Sequence, residues 1–368
     1  MGQFPVSCLA EEIATPGEGQ IRALVTVAGN PVISAPEADR LDAALPVLDA
    51  MIAIDNALNE TTRHADVIFP GLSPLEQPHY DELLWSWAVR SAGKWSPALF
   101  PPEPDRPEEW EILLRVGAMI AGIAQSDVDV KAIDDGFFSA FAELGGADPE
   151  VALAANPEPG PDRLVDNAIR TGPWGDRYGD NPGGLTLQHF RDEPNGIDMG
   201  PMVPRLDEVI AHPDAMIDLA PAPVVTDIPR LEARLDRPDD GLLLTSRRHV
   251  RSNNSWMHNV PVLVKGKDRC TLLIHPDDAA VAGLADGEVA RVSSEAGSLE
   301  VPVEVSDEMR PGVVSLPHGW GHDKPGTRQS VAAEHAGVNN NVLAPGTFVD
   351  VPSGNAAVNG IPVEVTRA

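Results

Sequence analysis

Two hydrophobic rhythms divide this chain, and one simple sheet cannot accommodate both. Up to about residue 125, short apolar runs rich in β-branched residues alternate with helical or polar stretches. The runs are 21–28 (IRALVTVA), which ends at Gly29-Asn30-Pro31; 51–54, followed at once by Asp55; and 65–69 (ADVIF), closed by Pro70-Gly71. Residues 41–48 between them read as a short helix. This alternation predicts a parallel α/β sheet. Residues 108–123 (EEWEILLRVGAMIAGI) read as an amphipathic helix whose start is set by the preceding PPEPDRP. From Gly241 onward strand-like runs crowd together: GLLLTS, CTLLIH, GEVARVSSEAGSLEVPVEVS, GVVSLPHG and IPVEVTR, parted by Gly and Asp turns. That density predicts a closed barrel. HPDDAAVAGLADG within it is a short helix with an acidic first turn and a glycine stop.

The sequence thus divides into 1–125 (α/β), 126–240 (connecting) and 241–368 (mainly β). In the middle segment a helix is expected near residues 133–144. ANPEPGPDR, TGPWGDRYGDNPGG and RDEPNGIDMGP then read as surface-running loops, and LAPAPVVTDIPRLEARLDRPDDG as a linker.

Charge excludes some partners. A net charge of -29 repels nucleic-acid phosphates and anionic lipid, so neither is expected to bind through bulk electrostatics. No run approaches the roughly 20 apolar residues of a membrane span. The first residues show no basic and apolar signal pattern, which makes the cytoplasm the expected compartment. Cys8 and Cys270 cannot form a disulfide framework or a four-cysteine metal site.

In such a chain an anionic ligand needs a local cluster of donors, and several segments offer polar side chains where ligands gather. Gly29, Asn30 and Asp55 end apolar strands, where open α/β sheets bind ligands; each also reads simply as a strand terminator. Asn59, Glu60, Thr61 and Thr62 follow, suited to ribose or phosphate, with a capped helix start as the plain alternative. Ser246, Arg247, Arg248 and His249, with Arg251, concentrate positive charge after GLLLT and suit pyrophosphate. Around His318, Gly319, Trp320, Gly321 and His322 the two glycines disfavour the helix that a four-apart histidine metal pair needs. A flexible loop whose indole packs on a flat ring fits better. Asn339, Asn341 and Asn355 supply amide donors and acceptors, or plain turns. No metal ligand set and no self-contained catalytic group stands out.

Together, ALVTVAGNPV, IDNALNETTRHADVIFPGLSPLE, LLLTSRRHVRSNNSWMHNVP, the run from HPDDAAVAGL to SLPHGWG, and SGNAAVNGIPVEV resemble the molybdopterin oxidoreductase family. That family includes formate dehydrogenases, periplasmic nitrate reductases and dimethyl sulfoxide reductases. The resemblance implies part of a doubly wound parallel sheet followed by a C-terminal double-psi β-barrel. It implies a bis(molybdopterin guanine dinucleotide) cofactor carrying molybdenum, and two-electron redox chemistry at that metal. By position, Asp55 and Asn59 would contact guanine or ribose, and Gly29, Asn30 and Thr61 would line the same crevice. Ser246, Arg247, Arg248, His249, His318, Gly319, Trp320, Asn339, Asn341 and Asn355 would approach from the barrel side.

The departures set further expectations. The family's iron–sulfur cysteines and molybdenum ligand belong to a segment upstream of the part present here. An iron–sulfur cluster is therefore expected only there. The expected partner is a separate N-terminal half or a protein that transfers electrons. The sheet edge left by the absent strands should want a partner. The substrate cannot be read. A non-catalytic pterin-binding module, or an inactive fragment, is the alternative to a catalytic portion.

Overall fold

The computed structural model describes residues 4–103, 106–236 and 241–368; Pro104 and Asp105 of the PPEPDRP run and the 237–240 end of the linker lie outside the described residues. The chain forms two compact units, Met1–Phe69 with Asp218–Ala368, and Pro70–Ile217. The boundary read near residue 125 falls inside the second.

The strands in chain order are β1 (Ala23–Val27), β2 (Ala50–Ile54), β3 (Val67–Phe69), β4 (His79–Tyr80), β5 (Arg90–Gly93), β6 (Trp95–Ser96), β7 (Ile197–Pro201), β8 (Leu242–Arg247), β9 (Leu272–Ile274), β10 (Val289–Ser293), β11 (Ser298–Val305), β12 (Val313–Pro317) and β13 (Ile361–Arg367).

In the first unit β1, β2 and β3 form a three-stranded parallel sheet with β2 central. Met51, Ala53 and Ile54 of β2 are buried, as expected of a parallel strand covered on both faces. Helices Leu9–Ala14 and Ala38–Ala44 pack Ala10, Ile13, Leu41 and Ala44 into the same core as Met51. β1 is an edge, and its Val25 and Val27 are exposed.

β8 to β13 close into a six-stranded mixed barrel in the order β10-β11-β9-β12-β8-β13. β8 and β12 pair in parallel, as do β9 and β11, while β10 runs antiparallel to β11 and β13. Strand alternation fills the interior. Ala290 and Val292, Val301 and Val303, and Ile361, Val363 and Val365 point inward against Leu244, Leu272, Ile274, Val314 and Leu316. Every second residue of β13 is exposed instead.

Hydrogen bonds of very long sequence separation join the two sequence segments of this unit, two of them donated by Asn side chains and two by the main chain. The Asn339 amide donates to the carbonyl of Val32 at 2.8 Å, and that of Asn341 to Ile33 at 2.6 Å. The Glu37 N–H reaches Ala344 O at 2.9 Å, and the Arg328 N–H reaches Leu58 O at 2.8 Å.

The second unit is more helical than its composition suggests. The expected helix is present as Val130–Leu144, and Pro149–Ala155, Pro161–Thr171 and Leu187–Asp192 are helical too. The loop reading of ANPEPGPDR therefore stands corrected at its end, where Pro161 opens a helix. Prolines at the first helical positions and Asp148 as cap are helix starters here, although the same residues also mark loops. Two-stranded ribbons pair β4 with β6 and β5 with β7. An apolar cavity of about 420 Å³ in this unit is lined by Tyr80, Trp85, Trp174, Phe190, Met199 and Met202 among others. In the linker, Ala222–Val225 and Ile228–Leu235 are helical. Among the described residues no helix is long and apolar enough to cross a membrane.

Candidate functional site

The basic segment after β8 and the loop after β12 form a cleft in the first unit. Its volume is about 650 Å³, and Arg248, His249, Ser252, Asn253, Asn254 and His318 line it with Val250, Met257 and Leu263. Asn253 and Asn254 take left-handed backbone conformations, tolerable for Asn, which turn the chain back on itself. Arg248 is exposed and hydrogen-bonded to the Asn254 side-chain oxygen. Burial holds both cleft imidazoles below the ordinary histidine range. Arg269, Arg251 and Arg247 add to this at His249, and Arg248 at His318. An arriving anion would oppose those guanidinium charges and favour the protonated rings.

Arg247, expected beside its neighbour, turns inward. Its guanidinium donates to the carbonyls of Ser315 and Thr271 (2.7 Å to the latter) and so ties β8 to β12 and the start of β9. Ser246 Oγ accepts from the Asn340 amide at 3.1 Å, while its N–H donates to Asn359 Oδ1 at 2.8 Å. Asn355 sits in an exposed turn, its carbonyl accepting from the Asp350 N–H.

Asp55 follows β2. Its carboxylate accepts from the Ala57 N–H at 2.9 Å and the Asn59 amide at 3.2 Å, yet burial dominates and raises its pKa. Asn59 is buried and its side-chain oxygen accepts from the Thr61 and Thr62 N–H groups, closing a turn just ahead of the short 3-10 helix Thr62–His64, whose cap position is Thr61. Gly29 is half-buried between β1 and Asn30. Asp55 is not among the cleft residues.

What joins the two groups is a buried chain of side chains. Ser252 Oγ lies 2.8 Å from His258 Nε2, and His258 Nδ1 lies 2.9 Å from His322 Nε2. His322 Nδ1 lies 2.9 Å from Glu60 Oε1. The other carboxylate oxygen accepts from the Asn30 amide at 2.7 Å, and Thr61 Oγ1 donates to Asn30 Oδ1 at 2.7 Å. The Val32 N–H donates to that same Thr61 oxygen at 3.1 Å. Glu60 is 0% exposed, His258 1%, His322 2% and Ser252 3%, and each finds its hydrogen-bond partners within the chain of side chains. Burial pushes the Glu60 carboxyl up, but the hydrogen bond and charge of His322, with Asn30, outweigh it and hold the group below its ordinary range. Burial and the neighbouring His322 push His258 down to about 4.

Trp320 packs on the ring of His258, a partner within the protein, with centroids 3.9 Å apart and planes 28° from parallel. Gly319 and Gly321 make this possible. Both have positive φ; a Cβ on Gly319 would collide with Asn254 O, and one on Gly321 would stand 2.6 Å from Asn339 Cβ. Gly319→Ala is expected to cost about 3 kcal/mol from backbone strain plus overpacking, measured as a lowered urea midpoint.

Sequence reasoning named Glu60 and His322 only as members of clusters and did not single out Ser252 or His258. Their signal was weak: two histidines without an adjacent sequence partner. Among the described residues no group of three or more His, Cys, Asp or Glu could hold a metal ion.

Residues 1–118 match the family model described as "Molybdopterin oxidoreductase", and residues 242–360 match "Molydopterin dinucleotide binding domain", together more than half of the chain. The chain is 27% identical over 292 residues to the catalytic subunit of a putative dimethyl sulfoxide reductase of Halobacterium salinarum, covering 77% of this chain and 31% of that protein. It is 23% identical to the assimilatory nitrate reductase catalytic subunit of Bacillus subtilis, covering 82% of this chain and 38% of the relative. The chain thus spans about a third of the length of these curated relatives. The fold is like that of acetylene hydratase from Pelobacter acetylenicus, with a TM-score of 0.63 at 16% identity, over 99% of this chain and 46% of the other. The chain belongs to the molybdopterin oxidoreductase family, of the dimethyl sulfoxide reductase and nitrate reductase type, and carries that family's dinucleotide-binding domain in its C-terminal part.

Proposed function

We propose that this chain is the cofactor-binding portion of a molybdopterin-dependent oxidoreductase, taking a bis(molybdopterin guanine dinucleotide) through its nucleotide and pyrophosphate ends. The observation that carries the reading is the cleft walled by Arg248, His249 and His318, in a chain whose net charge is otherwise -29. The fit can be judged from the donor set. A guanidinium, two imidazoles and Asn amides suit phosphate oxygens, and no carboxylate lines that cleft. Two buried polar atoms, Trp320 Nε1 and Asn340 Oδ1, also lack a partner among the described residues.

In this reading Arg248, His249 and His318 bind phosphate, and Asp55 with Gly29 offers a second contact from the β2 end of the sheet. Asn30, Asn59, Thr61, Ser246, Arg247, Gly319, Trp320, Asn339 and Asn341 hold those walls in shape, and Asn355 contributes from its exposed turn. The barrel is of the double-psi type, and the three strands are part of a doubly wound sheet. The bound group would supply two-electron redox chemistry at molybdenum; this chain binds and orients it, with electrons delivered by a partner.

Calorimetric titration of the 368-residue chain with guanosine diphosphate tests the reading. Binding is expected, weakening with salt and tightening as pH falls, because protonated His249 and His318 favour the anion. Arg248→Ala should lower affinity at least tenfold, the roughly 1.5 kcal/mol or more of a charge-assisted hydrogen bond. No binding, or binding indifferent to Arg248, would overturn it.

A further inference from the structure

We propose that Ser252, His258, His322 and Glu60 form a proton relay, through which Ser252 exchanges a proton with an N–H or O–H group of the molecule held in the cleft. The relay rests on geometry alone; the identity of the cleft's occupant rests on the function proposed above.

Directionality is dictated by the terminus. An ionised carboxylate only accepts, so Glu60 Oε1 requires the proton of His322 on Nδ1 (2.9 Å). With His322 neutral, as at alkaline pH, its Nε2 is then an acceptor, and its neighbour 2.9 Å away, His258 Nδ1, must be the donor. His258 Nε2 in turn accepts, and the Ser252 hydroxyl 2.8 Å away points its proton inward. Ser252 Oγ consequently shows only lone pairs to the cleft that it lines.

Proton transfer reverses every link. A group in the cleft gives its proton to Ser252 Oγ, and the hydroxyl proton passes to His258 Nε2. The Nδ1 proton of His258 passes to His322 Nε2, and that of His322 to Glu60. The cleft group has lost one proton and its O–H or N–H bond, Glu60 has gained one, and both imidazoles end neutral in the opposite tautomer. No electrons move and no further reactant is needed. Besides each other and Glu60, the relay histidines are faced electrostatically by His249, and the Gly319 backbone hydrogen-bonds to His258. The four groups are buried, so the cleft end is the natural outlet. The outer oxygen of Glu60 is pinned by Asn30, which Thr61 fixes in turn.

That pinning supplies the test. In Glu60→Gln the Asn30 amide donates to position 60, so the Gln oxygen must face Asn30 and its NH₂ must face His322. Nitrogen-15 NMR of histidine-labelled protein at alkaline pH should show Nδ1–H tautomers at both His258 and His322 in the wild type, and Nε2–H at both in Glu60→Gln. Tautomers that stay as they were, or one ring changing without the other, would overturn the relay. Ser252→Ala supplies a second readout should Glu60→Gln not fold. With the outlet removed, exchange of the His258 ring proton with solvent should slow at least tenfold while its tautomer is kept; an unchanged rate overturns the proposal. Guanosine diphosphate separates the two ideas. Coupled tautomers without nucleotide binding would leave the relay standing and remove the proposed occupant. Binding with uncoupled histidines would do the reverse.

Discussion

Glu60→Ala is expected to destabilise the protein by about 3–5 kcal/mol, the range for removing one partner of a buried charged pair. The side chain is 0% exposed and accepts from His322 Nδ1 at 2.9 Å and from the Asn30 amide at 2.7 Å. Truncation leaves the buried His322 Nδ1–H and the half-buried Asn30 amide without their acceptor, each costing up to about 1–3 kcal/mol. A cavity adds to this, because His322 is held from its other side by His258. Urea unfolding should show a large fall in midpoint with little change in slope. The exposed Arg22–Asp49 pair provides the contrast: Asp49→Ala should cost no more than about 1 kcal/mol. A Glu60→Ala loss as small as that would mean that the buried chain does not hold the sheet segment to the barrel.

Acidification should cost about 3 kcal/mol between pH 6.5 and pH 4 through His258 alone. Burial and His322 hold its folded-state pKa at about 4, against an ordinary value of 6.5. In that window the unfolded chain binds a proton that the folded chain refuses, so stability falls as pH falls and levels off near pH 4. Glu60 acts in the same sense. Its depressed carboxyl contributes stability above the ordinary carboxylate range, and that contribution is lost as pH drops through the folded value. Urea titrations from pH 8 to pH 4 measure the slope. It should flatten over the histidine window in His258→Gln, and an equal slope in that variant would assign the acid sensitivity elsewhere.

The strands were legible because their chemistry is local. IRALVTVA, ADVIF and the barrel runs carry β-branched residues bounded by Gly, Pro and Asp, and β1–β3 and β8–β13 fall within the predicted strand runs or one residue beyond them. By contrast, β4–β7 were not read as strands, and β7 lies in RDEPNGIDMGP, read as a loop. The short helices after Leu144 were not legible either, since Asp148, Pro149 and Pro161 signal a helix start as readily as a loop. At the site, Arg248, His249 and His318 line one cleft, although the sequence placed them in two separate clusters. Arg247 does not, and no local rule tells which of two adjacent arginines on a strand end turns inward. Asn339 and Asn341 looked like ligand amides; they hydrogen-bond carbonyls more than 300 positions earlier. The histidine chain was invisible for the same reason. His258 meets His322 across 64 positions, and His322 meets Glu60 across 262.

The first unit is built from both ends of the sequence, Met1–Phe69 and Asp218–Ala368, while the second is one continuous stretch. During synthesis the Met1–Phe69 segment is made well before the asparagines that clasp Val32 and Ile33, which follow more than 300 positions later. The intervening Pro70–Ile217 stretch is continuous in sequence. The sheet, with Val25 and Val27 bare along its β1 margin, therefore waits for its long-range partners until the later segment has been made, and such non-local pairing is slow and exposed to aggregation.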